Sequence, residues 1–408
     1  MEFIVRGAEA TRHHLGATLR HATTASEGDV RRLQTSTAIL AEIWAKLHNF
    51  VKPVADADTL NVPIGLALLL NRAVSGLPDL KQAKIAVELT SPLNYFQRRH
   101  DPLRGLAALL QLRLGASTQL NFPNDLGIIG IPYSQGGLLF LNCLFYHELG
   151  HYVVEQRNLT DTLRNEADTR IAEVLPKLTD DRRRKLAKVI RSWLEEVFCD
   201  LFAVRLLGPA YTFVFAELFD LLGDFREQRA ALYHGTHPAG TVRLHEQLEI
   251  LREAPCNWDP VLSELQPDLY SQITTLAAKH EEIPPSCEDV PVEMVRAFRS
   301  ALPKVRELAK SAANGQSKSP ETFLRVREEI VDCLAHGIVP STVYKGTNAE
   351  EWCVMLINAA YFLQLGDLEN LFSIIAKPDK NDVQLHARIR QRIEQWSLKA
   401  IEDILRSL

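Results

Sequence analysis

The sequence predicts an α+β fold, mainly α, in which a small sheet is flanked by helical regions. Three observations predict it: apolar residues recur at helical spacing over most of the chain, only two short segments read as strands, and no repeat of fixed period suggests a solenoid. At 408 residues, 46% hydrophobic and 24% charged, the composition is ordinary for a globular protein. The length exceeds what one hydrophobic core usually serves, so two or three domains are expected.

Between residues 30 and 50, Leu40, Ile43, Trp44 and Leu47 repeat at helical spacing, and Pro53 stops the pattern. Residues 64–74 follow Pro63 and are apolar enough to form a buried helix in an N-terminal layer. KIAVELT (84–90) is the first expected strand; LGIIGIP (126–132), bounded by turn residues, is the second. Beyond it the spacing predicts helices over 138–156 and 161–174, then a long one from Thr179-Asp180 to Gly208-Pro209. The basic run Arg182-Arg183-Arg184-Lys185 in its first turn is read as a solvated face, because so short a run is weak evidence for an anionic partner. The segment EEIPPSCEDVP (281–291) reads as a boundary. Helical patterns then cover 292–312, 322–334, 350–365 and 383–405, with residues 314–320 as a flexible joint.

The net charge of −5 carries no electrostatic footprint for nucleic acid or an anionic membrane surface. The opening residues MEFIVRGAEATRHHLG place charges and histidines where an export signal needs an apolar run. The longest central apolar stretch, 136–146, contains Asn142 and is far short of a bilayer span. The six cysteines include no CxxC pair and are expected to be reduced, buried thiols. A cytoplasmic protein without a membrane span or a nucleic-acid partner is the resulting expectation.

The chemistry enters at FYHELGHYVV. His147 and His151 stand four residues apart in an apolar helix, so both imidazoles project from one face and can grip one zinc ion. Glu148 lies one residue round the helix, where a carboxylate can take a proton from water without being a ligand. With 13 histidines in the chain, chance would produce an HExxH string in about 3% of sequences of this composition, so context must decide. Histidines merely satisfied by the core are the plainer alternative, and burying them beside a carboxylate without a shared partner would be costly.

A catalytic zinc uses three protein ligands and keeps an open position. The residues after His151 lack the third histidine of the HExxHxxGxxH pattern. The candidate lies 45 residues on, in WLEEVFCDLFAVRLLGP, where Glu196 and Asp200 share a helical face. Glu196 can reach the metal while Asp200 accepts a hydrogen bond from the outer nitrogen of a ligand histidine. Glu195 is offset by about 100° and is expected to face away from the metal.

HExxH on one helix completed by ExxxD on a second resembles the gluzincin metallopeptidases. Within them the chain is most similar to the CAAX-prenyl-protease and HtpX-like family, whose ExxAD-type helix continues much as DLFAVRLL does here. That family also carries a later His-Pro followed by a basic residue, as in THPAGTVRL, with His237, Pro238 and Arg243. The resemblance covers roughly residues 126–251. Cys199 stands where the family often has alanine, and the membrane-spanning helices of its membrane-bound members are absent. The resemblance implies a zincin-like metallopeptidase core at 86–282, between an N-terminal helical region at 1–85 and a C-terminal helical domain at 283–408.

The implied activity is that of an endopeptidase acting on a protein or peptide substrate, with one Zn2+ per chain. Zinc polarises the scissile carbonyl, and Glu148 acts as general base and then delivers the proton to the leaving amine. His237 is expected to stabilise the oxyanion, with Arg243 orienting its loop and Tyr233 as an alternative donor. The strand at 126–132 could offer an edge to an extended peptide or be a plain core strand. The rival from another class is a helical scaffold whose structural zinc site is closed by a fourth ligand, Cys143 or Cys199. A zinc hydrolase of a non-peptide amide is a second, enzymatic rival.

Overall fold

The computed structural model describes residues 64–90, 96–98, 126–132, 138–221, 237–281, 292–316, 318–343, 347–366 and 383–407, together with residue 38. The helical pattern of 30–50 is otherwise outside the described residues, as are Tyr233 and most of the boundary segment 281–291.

The described structure is mainly helical with one small sheet, as the apolar spacing predicts. Strands β1 (Lys84–Thr90) and β3 (Leu126–Pro132) match the expected segments and pair in parallel, while a third strand, β2 (Phe96–Arg98), runs antiparallel to β3. The order β1-β3-β2 puts β3 in the middle. Among the described residues it is thus paired along its length by β1 and at residues 128–130 by β2, which leaves little of it as an edge for a peptide. Gly127 serves another purpose. A Cβ there would stand 2.7 Å from Ile85 Cδ1 and 2.9 Å from the Tyr152 ring, so the missing side chain lets the motif-bearing helix lie against the sheet.

Helix α1 (Ile64–Ser75) precedes the sheet. After β3 the chain makes a short 3₁₀ turn, Leu141–Leu144, and enters α2 (Phe145–Gln156), which carries HELGH. The expected helix over 138–156 is thus α-helical only from Phe145, the turn before it being 3₁₀. Asn158, at φ 53°, separates α2 from α3 (Leu159–Val174); the left-handed region is one that asparagine enters more readily than most residues. The long helix α4 (Asp180–Leu207) ends at Gly208, whose φ of 85° suits a residue without a Cβ. Pro209 opens α5 (Pro209–Leu221) and does not end the helical region. The basic run in the first turn of α4 pairs locally, with Lys185 2.9 Å from Asp181, as a solvated face does.

The remaining helices are α6 (Gly240–Arg252), α7 (Asp259–Leu265), α8 (Pro267–Ala278), α9 (Val292–Ala312), α10 (Pro320–Ala335), α11 (Ala349–Gly366) and α12 (Val383–Arg406). Helices α2 and α3 pack on α4, α9 covers α3 and α4, and α1 lies against α11 and α12. One continuous apolar core runs from Leu66 to Leu405. Fully buried Asn358 of α11 fastens the C-terminal helices to the end of α4. Its amide nitrogen donates to Leu207 O at 2.7 Å, and its oxygen accepts from Ala210 N at 2.8 Å. Among the described residues, no helix is long and apolar enough to cross a membrane.

Candidate metal centre

The centre is built where α2 crosses α4. A Cβ on Gly150 would stand 2.7 Å from Cys199 Cα, so the glycine inside HELGH allows the two backbones to touch. Contacts then run in opposite senses along the two helices, His147 against Asp200 and His151 against Glu195. The helices are antiparallel. The side chains of both histidines therefore reach across to α4 within one turn.

Each imidazole is held at its inner nitrogen. His147 Nδ1 lies 2.8 Å from Asp200 Oδ1, and His151 Nδ1 lies 3.0 Å from Glu195 Oε1. A carboxylate only accepts, so both Nδ1 atoms carry a hydrogen, which leaves the two Nε2 atoms as the ones that can be deprotonated for a metal. Those outer nitrogens face Glu196: His147 Nε2 stands 3.3 Å from Oε2 and His151 Nε2 stands 3.5 Å from Oε1. Glu148, the next residue along α2, is buried, and its carboxylate is among the charges felt by Cys199.

Asp200 is the anchor of the arrangement. It is fully buried, and Arg243 grips it with Nε at 2.6 Å from Oδ2 and Nη2 at 2.8 Å from Oδ1. Tyr211 Oη of α5 donates to Oδ1 at 2.7 Å. Arg243 is itself buried, with its guanidinium 4.9 Å from the Phe215 ring centre and Nη2 3.5 Å from Glu196 Oε2. It lies in the first turn of α6, so its described contacts bind that helix to α4. His237 precedes α6 and reaches the same place, with Nε2 3.6 Å from Glu196 Oε2 and a side chain 54% exposed.

The charges explain why these groups stay ionised. Burial works against a charge on Asp200, but Arg243 and then His147 hold its carboxyl down to about 2. For Glu196 burial is likewise outweighed, by His147, Arg243 and His151, and its carboxyl lies well below the usual range. Burial opposes a proton on His147, yet Asp200 and Glu196 push its pKa up to about 10. The site favours positive charge between its carboxylates. His237 is shifted the other way, because burial lowers its pKa.

Among the described residues, His147, His151 and Cys199 form a group whose ligand atoms lie within 4.8 Å of one another and could hold a metal ion. The position of Glu196 supplies a second test of fit. Ligand atoms about 2.0–2.1 Å from a tetrahedral zinc are about 3.4 Å apart. Glu196 comes this close to each imidazole but with a different oxygen, Oε2 3.3 Å from His147 and Oε1 3.5 Å from His151. It is not a member of that group, so it would have to turn one oxygen toward both to be a ligand. A nitrogen-rich set with one carboxylate is the donor chemistry zinc takes. Cys199 is the third member of that group. It is fully buried at the helix crossing, and burial together with Glu195, Glu196, Asp200 and Glu148 pushes its thiol well above the usual range. Cys143 points elsewhere, its thiol donating to Leu139 O at 3.8 Å.

The structure thus gathers His147, Glu148, His151, Glu196, Asp200, His237 and Arg243 around one crossing. Sequence reasoning missed Glu195, which turns to the back of the His151 imidazole, and Tyr211, which braces Asp200. The doublet Glu195-Glu196 was the one available signal; nothing in the sequence ties Tyr211 to the motif. No protein-family model matches this chain, and no curated protein or solved structure matches it significantly.

Proposed function

We propose that this chain is a zinc-dependent endopeptidase with a zincin-like core, its metal held by His147, His151 and Glu196. The observation that supports the reading is that the Nε2 atoms of His147 and His151 both face Glu196, 3.3 and 3.5 Å from its two oxygens, while each Nδ1 is held by a carboxylate of the same helix. When bound, zinc supplies Lewis-acid polarisation of a carbonyl and makes water a better nucleophile near neutral pH.

The remaining work belongs to the chain. Glu148 accepts the proton of the attacking water and returns it to the leaving nitrogen. Asp200, locked by Arg243 and Tyr211, keeps the hydrogen of His147 on Nδ1. His237 is half exposed at the rim, where an imidazole can donate to the oxygen on which charge develops. Arg243, in the first turn of the helix that follows His237, holds that helix to Asp200 and Glu196.

A structural site closed by Cys199 is the second reading, and the sulphur within reach of both histidines favours it. The two readings separate in one experiment. New N-termini are counted across a cell lysate after adding wild type or Glu148→Gln. A set of cleavages made by wild type alone supports the peptidase and shows its specificity. No difference between the two proteins, with zinc bound in both, overturns it in favour of the structural site.

A further inference from the structure

The proposed ligands leave one buried carboxylate of the centre without a task. Glu195 is 8% exposed, and its Oε1 lies 3.0 Å from His151 Nδ1. It follows Leu194 on α4 and precedes Glu196, so the two glutamates leave the helix about 100° apart. They meet the same imidazole from opposite ends: Glu195 at Nδ1, Glu196 at Nε2, 3.5 Å away. This is possible because the Gly150–Cys199 contact brings the helices close enough for one ring to span between adjacent residues of α4.

We propose that Glu195 is a positioning residue, whose carboxylate fixes the tautomer and direction of His151 for the metal, an inference that rests on the zinc reading above. His147 and His151 then have separate anchors. Asp200 is braced from α5 and α6 by Tyr211 and Arg243, whereas Glu195 belongs to the same helix as Glu196. A single stretch of α4, Glu195-Glu196-x-x-x-Asp200, carries the proposed ligand carboxylate and both orienting carboxylates. Both imidazoles therefore stand with Nε2 forward before any cation arrives, and the ordering cost is met by folding and not by binding.

The test uses the full-length protein with Glu195→Ala and the near-isosteric Glu195→Gln. Imidazole 15N spectra of the metal-free proteins report the His151 tautomer, competition against a chelator reports zinc affinity, and melting curves report the fold. Wild type should show hydrogen on Nδ1 of His151. Glu195→Ala should lose that preference and bind zinc about 10–100-fold more weakly while melting within a few degrees of wild type, the size expected for an outer partner of a ligand histidine. Glu195→Gln, whose amide oxygen can still accept, should recover much of the affinity and the tautomer. An unchanged tautomer and unchanged affinity in Glu195→Ala overturn the proposal. If wild type takes up no zinc, the reading of the centre falls, and the tautomer in the metal-free proteins alone decides the role of Glu195.

Discussion

Arg243 meets the fully buried carboxylate of Asp200 with two parallel hydrogen bonds, of 2.6 and 2.8 Å, and so ties α6 to α4 directly behind His147. Fork-to-fork pairs of this kind combine charge with fixed geometry. Removing Arg243 takes the strongest partner from the buried carboxylate of Asp200 and leaves it to His147 and Tyr211. Arg243→Ala is therefore expected to cost about 3–5 kcal/mol of folding stability in urea titrations. Arg243→Lys should rescue little, since an ammonium cannot reproduce the fork. Full stability in the alanine variant would show that the pair is relaxed by solvent.

Metal content distinguishes the two possible third ligands. Purified wild-type protein should hold about one zinc per chain, as a mononuclear catalytic site does. His147→Ala, His151→Ala and Glu196→Ala should each lose most of it, whereas Cys199→Ser should keep it. Zinc retained by Glu196→Ala and lost from Cys199→Ser would exchange the two assignments.

His237 tests the oxyanion role. His237→Ala should keep zinc and fold, because the side chain is 54% exposed and lies at the rim. Its kcat should fall by roughly 10²-fold with little change in KM, since the donated hydrogen bond strengthens mainly in the transition state. An undiminished kcat would leave His237 as a residue that merely leads into α6.

Gly150 tests the helix crossing. A methyl group there would stand 2.7 Å from Cys199 Cα, so α2 and α4 must part. Gly150→Ala should lose about 1–3 kcal/mol of stability, as overpacking does, and weaken zinc binding with it. Thermal melting with and without added zinc would show both effects; normal binding in a stable variant would mean the crossing has slack.

Glu394 of α12 gives the pH dependence. It is buried, its Oε2 has no hydrogen-bond partner among the described residues, and burial pushes its carboxyl up to about 7, opposed by the backbone N–H of Phe140. The folded pKa lies above the unfolded one, so between the unfolded value and pH 7 the native state binds more protons. Its contribution to stability is therefore complete below the unfolded pKa and is lost as pH rises through about 7. The melting temperature of wild type should fall between pH 6 and 8 relative to Glu394→Gln. Parallel curves for the two proteins would contradict this.

The sequence by itself determined the local features whose causes are local. Helical spacing of apolar residues located α1, α3, α4, α9, α10, α11 and α12 to within a few residues, together with the end of α2, and β1 and β3 were legible as short β-rich runs bounded by turn signals. The i, i+4 spacing placed His147 with His151 and Glu196 with Asp200 on common helical faces, because backbone geometry alone enforces it. Tertiary structure decided everything that depends on one segment meeting another. That β3 is central followed from its pairing with a three-residue strand too short to carry a periodic signal. That Pro209 begins a helix, and that Arg243 sits inside one gripping Asp200, depends on packing that local propensity does not encode. Glu195 is the clearest case. Its angle on α4 was readable and implied that it faces away from Glu196, but only the close crossing at Gly150 and Cys199 puts the back of the His151 ring in that direction.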